Sequence, residues 1–210
     1  MMEEKKIIKR LSELKQRIFP GPFERLGVKG ENLIGVEIGV YKGIHAKSLL
    51  ENLSIKKLYL IDPYKLYDEF EEGKRHYGVD QDPLEIVEEE ARRRLKNYSD
   101  RIVWVKKKSG EALENIPDKL DFVYDDGNHQ YEFVKHNIES YFPKIKEGGI
   151  IGGHDISNGY SYEHNGVVQA VIEFAFKHHL QLYIELPDWW VIKGGCFKKE
   201  MIYGANQIGK

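Results

Sequence analysis

The stretch Leu33-Ile34-Gly35-Val36-Glu37-Ile38-Gly39-Val40-Tyr41-Lys42-Gly43 decides the fold. Leu33 to Ile38 is short and mostly apolar, as a buried strand is, and the glycines at 39 and 43 bound a turn. A helical pattern then runs from about Ile44 to Asn52. The same strand-then-helix alternation repeats outward from this unit. Lys57 to Ile61 reads as a second strand, stopped by Asp62-Pro63, and Pro83 to Lys96 as a helix. Arg101 to Val105, Phe122 to Tyr124 and Gly149 to Gly152 read as further strands, with helices predicted at 133–142 and 167–176. Two last strands, Gln181 to Glu185 and Trp189 to Ile192, are separated only by Leu186-Pro187-Asp188. Strands alternating with helices build a mostly parallel sheet covered on both faces, and the closing hairpin reverses a strand at one edge. Seven strands in a doubly wound α/β arrangement is the expectation.

The chain has 210 residues, no internal repeat and no low-complexity linker, so a single domain over 1–210 is expected, with its core at 33–194. Residues 1–19 read as an amphipathic helix with Ile7, Leu11, Leu14 and Ile18 on one face, suited to packing on the core, to a second copy in a homodimer, or to a lid. Hydrophobic residues at 41% and charged ones at 31% are ordinary globular composition. A net charge of −2 gives no general pull toward nucleic acid or anionic lipid, and no apolar run approaches a membrane span. The run Lys106-Lys107-Lys108 reads as a solvated strand edge without further basic or aromatic support. The lone Cys196 excludes an internal disulfide framework, and the simplest location is the cytoplasm. In the hairpin, one of Trp189 and Trp190 is expected in the core and the other toward a partner subunit or the pocket.

Ligands of such sheets bind beyond the carboxyl ends of the strands, where strand order reverses. The loop after the first strand is therefore the first candidate site. Gly39 permits a tight turn, and Gly43 lets a helix begin close to a ligand. The spacing is G-x-x-x-G rather than the G-x-G-x-x-G of pyrophosphate loops. Glu37 would oppose a pyrophosphate but suits an ammonium group. Asp62 falls at the end of the second strand, where an acid can accept ribose hydroxyl protons; nicotinamide enzymes place an acid there too. Asp126 and Asp155 follow the fourth and fifth strands, so adjacent strands bring two carboxylates to one rim. Such a pair repels unless a divalent cation or a proton lies between its members. His129 and His154 lie beside these acids and titrate near neutrality, as a general base must.

Taken together, Val36 to Gly43, Leu60-Ile61-Asp62, Asp126-Gly127-Asn128-His129-Gln130-Tyr131-Glu132 and Gly148-Gly149-Ile150-Ile151-Gly152-Gly153-His154-Asp155 resemble class I S-adenosylmethionine-dependent methyltransferases. The likeness is nearest to the branch of small-molecule O-methyltransferases acting on sugars, antibiotics and catechol-like acceptors. It covers about Leu33 to Ile192, and implies a Rossmann-like sheet of seven strands with an antiparallel edge hairpin.

The resemblance implies that Glu37, Gly39, Tyr41 and Gly43 form the cofactor loop, with Glu37 and Gly39 at the methionine end. It assigns Asp62 to the ribose, Ser109-Gly110 to the adenine flank, and Asp125 to the cofactor site. Asp126 and Asp155 match two metal-ligand positions of its metal-dependent members, which use magnesium or another divalent cation. The asparagine that some members carry after the second aspartate is Ile156 here; Asn158, Asp125 and His154 are the alternatives for a third ligand. Asp126, His129 and His154 are the catalytic candidates, acting on a small-molecule acceptor. Two other readings stay open at this point: a nicotinamide-dependent oxidoreductase, and a non-catalytic module that keeps the fold for binding.

Overall fold

The computed structural model describes residues 30–65, 83–156, 166–185 and 187–196. The N-terminal amphipathic segment, Asn158, and most of 64–82 and 156–165 lie outside the described residues. Seven strands form one sheet: β1 (Leu33–Ile38), β2 (Ile55–Ile61), β3 (Ile102–Val105), β4 (Leu120–Asp125), β5 (Ile145–Gly153), β6 (Leu180–Glu185) and β7 (Asp188–Cys196). The helices are α1 (Ile44–Asn52), α2 (Leu84–Arg94), α3 (Ser109–Ala112), α4 (Tyr131–Tyr141) and α5 (Gly166–Lys177).

The spatial order is β3-β2-β1-β4-β5-β7-β6. β1 pairs in parallel with both β2 and β4, so the order reverses at β1, and the loops after β1 and β4 flank the switch point. β7 runs antiparallel to both β5 and β6. The reversed strand is therefore one place in from the edge, and the outermost strand β6 points with the parallel set.

Side chains alternate across the pleat into two apolar layers. Val36, Ile38 and Val123 face α4 and α5, meeting Val134, Ile138, Val171 and Phe174. Leu33, Leu58 and Leu60 face α1 and α2, meeting Ala46, Leu49, Val87 and Ala91. Both tryptophans of the hairpin are buried: Trp189 is 1% exposed in the first layer and Trp190 is 7% exposed in the second. Successive strand residues point to opposite faces, and β7 is covered on both, so both rings are in the core; Trp189 also lines a small cavity with His129 and His154. Among the described residues, no helix is long and apolar enough to cross a membrane.

Candidate active site

The loop after β1 is held by hydrogen bonds from its neighbours. The Gly39 amide donates to the Ile61 carbonyl at 2.9 Å, and Gly43 to Val40 at 2.8 Å. At φ +84°, a Cβ on Gly39 would lie 2.1 Å from the Asp126 carbonyl oxygen. The loop after β1 and the loop after β4 thus touch backbone to backbone at this glycine. At Gly43 a Cβ would press on Leu95 and Ala91 at the end of α2, so this glycine also lets α1 pack closely on α2.

Glu37 is fully buried, and its Oε1 lies 2.9 Å from His45 Nδ1 on the first turn of α1. The group that this acid meets within the chain is an imidazole. The Tyr124 ring packs beside that histidine, with centroids 4.1 Å apart.

Asp62 is similarly engaged. Its Oδ2 accepts from the amides of Val40 at 3.0 Å and Tyr41 at 2.9 Å, and its Oδ1 from Tyr64 at 2.8 Å. The Tyr64 hydroxyl donates back to the Tyr41 carbonyl at 2.9 Å. Tyr41 and Tyr64 both hold left-handed backbone, at φ 49° and 45°, a strained conformation that this clamp maintains. Burial pushes the Asp62 carboxyl above its ordinary value, against the pull of the three amides. A carboxylate has about four acceptor positions, so roughly one remains for a ligand. Asp62 braces the glycine loop whatever else it binds.

The second half of the site stands on β4 and β5, whose ends are paired Asp125 to Gly153. Asp126 follows β4, and His154 and Asp155 follow β5, tied across by the His154 amide donating to the Asp125 carbonyl at 3.1 Å. One ligand atom from each of Asp126, His154 and Asp155 lies within 4.8 Å of the other two. His154 Nδ1 is 2.9 Å from Asp155 Oδ2 and 3.8 Å from Asp126 Oδ1. His129 Nε2 is 3.1 Å from Asp155 Oδ2 and 3.7 Å from Asp126 Oδ1. Burial pulls the His129 imidazole down, but the carboxylates of Asp126, Asp155 and Asp125 outweigh it and hold its pKa above the ordinary value. Burial opposes ionisation of Asp155, yet His154 and His129 hold that carboxyl below its usual range. Asp155 itself sits at φ 60°. Two acids and two imidazoles therefore converge on one rim, as the strand ends predicted.

Asp125 lies behind that rim. Burial pushes its carboxyl up to about 6, although Asn137 donates to both of its oxygens (3.2 and 3.1 Å) and the Gly127 amide to one. Its surroundings make it an anchor between β4 and α4 more than a ligand of the rim cluster. Ser109 is buried at the start of α3, where its carbonyl accepts the Tyr141 hydroxyl at 2.7 Å; Gly110 is exposed beside His136. Asn128 Oδ1 accepts the Gln130 amide at 3.0 Å, forming a turn just ahead of α4. Lys106 and Lys107 are exposed and paired with Glu88 and Asn115, a solvated edge as expected.

The structure thus brings together Asp126, His129, His154 and Asp155, and sets Gly39 against them. Glu37, Tyr41 and Asp62 gather at the neighbouring loop. Sequence reasoning places His45 in the first turn of α1, as observed, without chemistry, and assigns nothing to Tyr64, Asn137 and Asp188. Their partners lie on other elements, from 8 residues away for His45 with Glu37 to 64 for Asp188 with Tyr124, and only the fold brings them together.

Residues 36–156 match the family described as a methyltransferase domain. A curated relative, an uncharacterised protein of Acanthamoeba polyphaga mimivirus, is 26% identical over 125 residues, 58% of this chain and 50% of the relative. The chain spans about half the length of that relative. Among solved structures, the O-methyltransferase NovP superposes with a TM-score of 0.55 at 21% identity, covering 89% of this chain and 80% of NovP. MycE, a methyltransferase of mycinamycin biosynthesis solved with magnesium and S-adenosylhomocysteine, gives 0.54 at 17% identity over 87% of this chain and 51% of its own. The family match runs from β1 to the residue after Asp155, through both halves of the site. This chain belongs to the methyltransferase-domain family.

Proposed function

We propose that this protein transfers the methyl group of S-adenosylmethionine to a hydroxyl of a small polar acceptor at the Asp126–His129–His154–Asp155 rim. The observation that carries the reading is the convergence of those four side chains beside the glycine loop, with Gly39 and Asp126 in backbone contact. NovP is an O-methyltransferase and MycE was solved with magnesium and S-adenosylhomocysteine, which supports both the acceptor class and a cation at the rim.

When bound, S-adenosylmethionine supplies a sulfonium-activated methyl group, and displacement on it needs an aligned, deprotonated nucleophile. The chain's part is to shape that geometry. The Asp62 clamp holds the glycine loop, and Gly39 leaves room where any side chain would collide. His129 is the residue we assign to take the acceptor's proton, at Nε2, with Asp126 and Asp155 stabilising the imidazolium that results. The donor set of two carboxylates and an imidazole, already within ligand reach of one another, suits a divalent cation. Asp126, His154 and Asp155 would hold it, and it would lower the pKa of the acceptor hydroxyl.

Incubation with methyl-labelled S-adenosylmethionine and a panel of polyhydroxylated acceptors, with and without chelator, tests the reading. Methyl transfer suppressed by chelator and restored by a divalent salt is the expected outcome. Full activity in excess chelator would leave acid–base chemistry at His129 alone. Binding of a nicotinamide dinucleotide with none of S-adenosylmethionine would sink the proposal.

A further inference from the structure

Asp188 is a buried carboxylate to which the site described so far assigns no task. It opens β7, directly after the hairpin turn. Because β7 runs antiparallel to β5, its first residues lie beside the last of β5: Trp189 pairs with Gly153, which places Asp188 next to His154. Asp188 Oδ1 is 4.0 Å from His154 Nε2. The same oxygen accepts the buried Tyr124 hydroxyl at 2.8 Å, so its position is fixed from the centre of the sheet.

His154 thus lies between two acidic environments, one at each ring nitrogen. Nδ1 faces Asp155 and Asp126; Nε2 faces Asp188. A neutral imidazole carries one proton, and the nitrogen left without it offers a lone pair. Without a cation, the 2.9 Å contact with the Asp155 carboxylate makes Nδ1 the donor; a cation that takes the Nδ1 lone pair moves the ring proton to Nε2, where Asp188 faces it. The 4.0 Å gap is too long for a direct hydrogen bond but is spanned by one water or a small ring rotation. A histidine that ligates a metal almost always donates its other ring N–H to such a carboxylate, backbone carbonyl or water.

We propose that Asp188 is a positioning residue for the rim: it holds the Nε2 proton of His154, turns the Nδ1 lone pair toward Asp126 and Asp155, and tunes the cluster to manganese over magnesium. This rests on the reading of the rim as a cation site. Magnesium prefers oxygen donors and water, whereas imidazole suits first-row transition ions. A third donor that is nitrogen, and that is oriented from behind, shifts the preference to the latter.

The experiment titrates the full chain with manganese chloride and, separately, magnesium chloride by calorimetry, and records the electron spin-echo modulation of bound manganese for a coupled nitrogen. Wild type is expected to bind manganese at least tenfold more tightly than magnesium and to show the nitrogen coupling. Asp188→Asn, which can still accept the Tyr124 hydroxyl, is expected to weaken manganese binding roughly 10- to 100-fold. Its melting temperature and S-adenosylhomocysteine affinity should stay at wild-type values, which a merely structural role for Asp188 would not allow. Equal affinity of wild type for the two ions, or wild-type manganese affinity in Asp188→Asn, overturns the proposal. If that variant does not fold, Tyr124→Phe frees the carboxylate and is expected to lose manganese affinity several-fold; unchanged binding there overturns it equally. Absence of any cation binding removes this inference and leaves methyl transfer standing, whereas failure to bind S-adenosylmethionine shows the reverse.

Discussion

The two halves of the site contain similar groups used in opposite ways. On the β1 side, the acids Glu37 and Asp62 are engaged by the chain itself, one with His45 and the other with three backbone amides. On the β4–β5 side, Asp126 and Asp155 face the imidazoles of His129 and His154, at a rim that is partly open. The first half has used its charges to fix a backbone; the second retains charges that can act on something else. Preorganisation and reactivity are thereby separated by the width of one strand, and Gly39 against Asp126 is the point where they meet.

The sharpest way to break that division is His129→Ala. Loss of a general base costs on the order of 10²- to 10⁴-fold in rate. Methyl-transfer kinetics should show that loss while calorimetry returns an unchanged cofactor affinity; a matching loss of cofactor binding would mean that the halves are not separable. Gly39→Ala attacks the junction instead. A left-handed φ and a Cβ 2.1 Å from a carbonyl oxygen together cost roughly 3 kcal/mol, read as a lowered denaturation midpoint. Cofactor binding should fall with it.

Asp125 supplies a pH test of similar size. Its folded pKa is raised from 3.8 to about 6 by burial, so its contribution to stability is fully present below pH 4 and is lost as pH rises through 6. The loss amounts to about 3 kcal/mol. Denaturation of wild type in chelator, from pH 4 to pH 7, should show this fall, and Asp125→Asn should lack it. Parallel curves for the two proteins would remove the residue from that role. The smallest effect is expected from Asp62→Asn, which keeps one acceptor oxygen and loses the other. About 1–2 kcal/mol of stability should go, with cofactor affinity falling roughly tenfold. An unchanged affinity would show that the clamp is dispensable for binding.

Much of this division could be read before the fold was seen. Asp126 and Asp155 were legible because each follows a short apolar run, and adjacent parallel strands bring their ends together. The seven strands were legible from apolar runs between turn residues, but their limits were not. β5 starts at Ile145, four residues before the predicted Gly149, because Lys146 and Glu147 are exposed at the sheet's end and carry no apolar signal. The role of Asp62 as a brace was hidden for another reason. Its partners are backbone amides, and every residue type offers one. Asp188 was hidden because only the antiparallel return of β7 brings it to His154.

That return has a consequence for how the chain is made. β7 lies between β5 and β6, and its tryptophans fill the two apolar layers on opposite sides of the sheet. A ribosome delivering the chain from its N-terminus releases six strands before the one that must be inserted among them. Until then β5 and β6 cannot join, and both layers lack a large aromatic ring. The nascent domain should therefore reach its full resistance to protease only after residue 196 has cleared the exit tunnel.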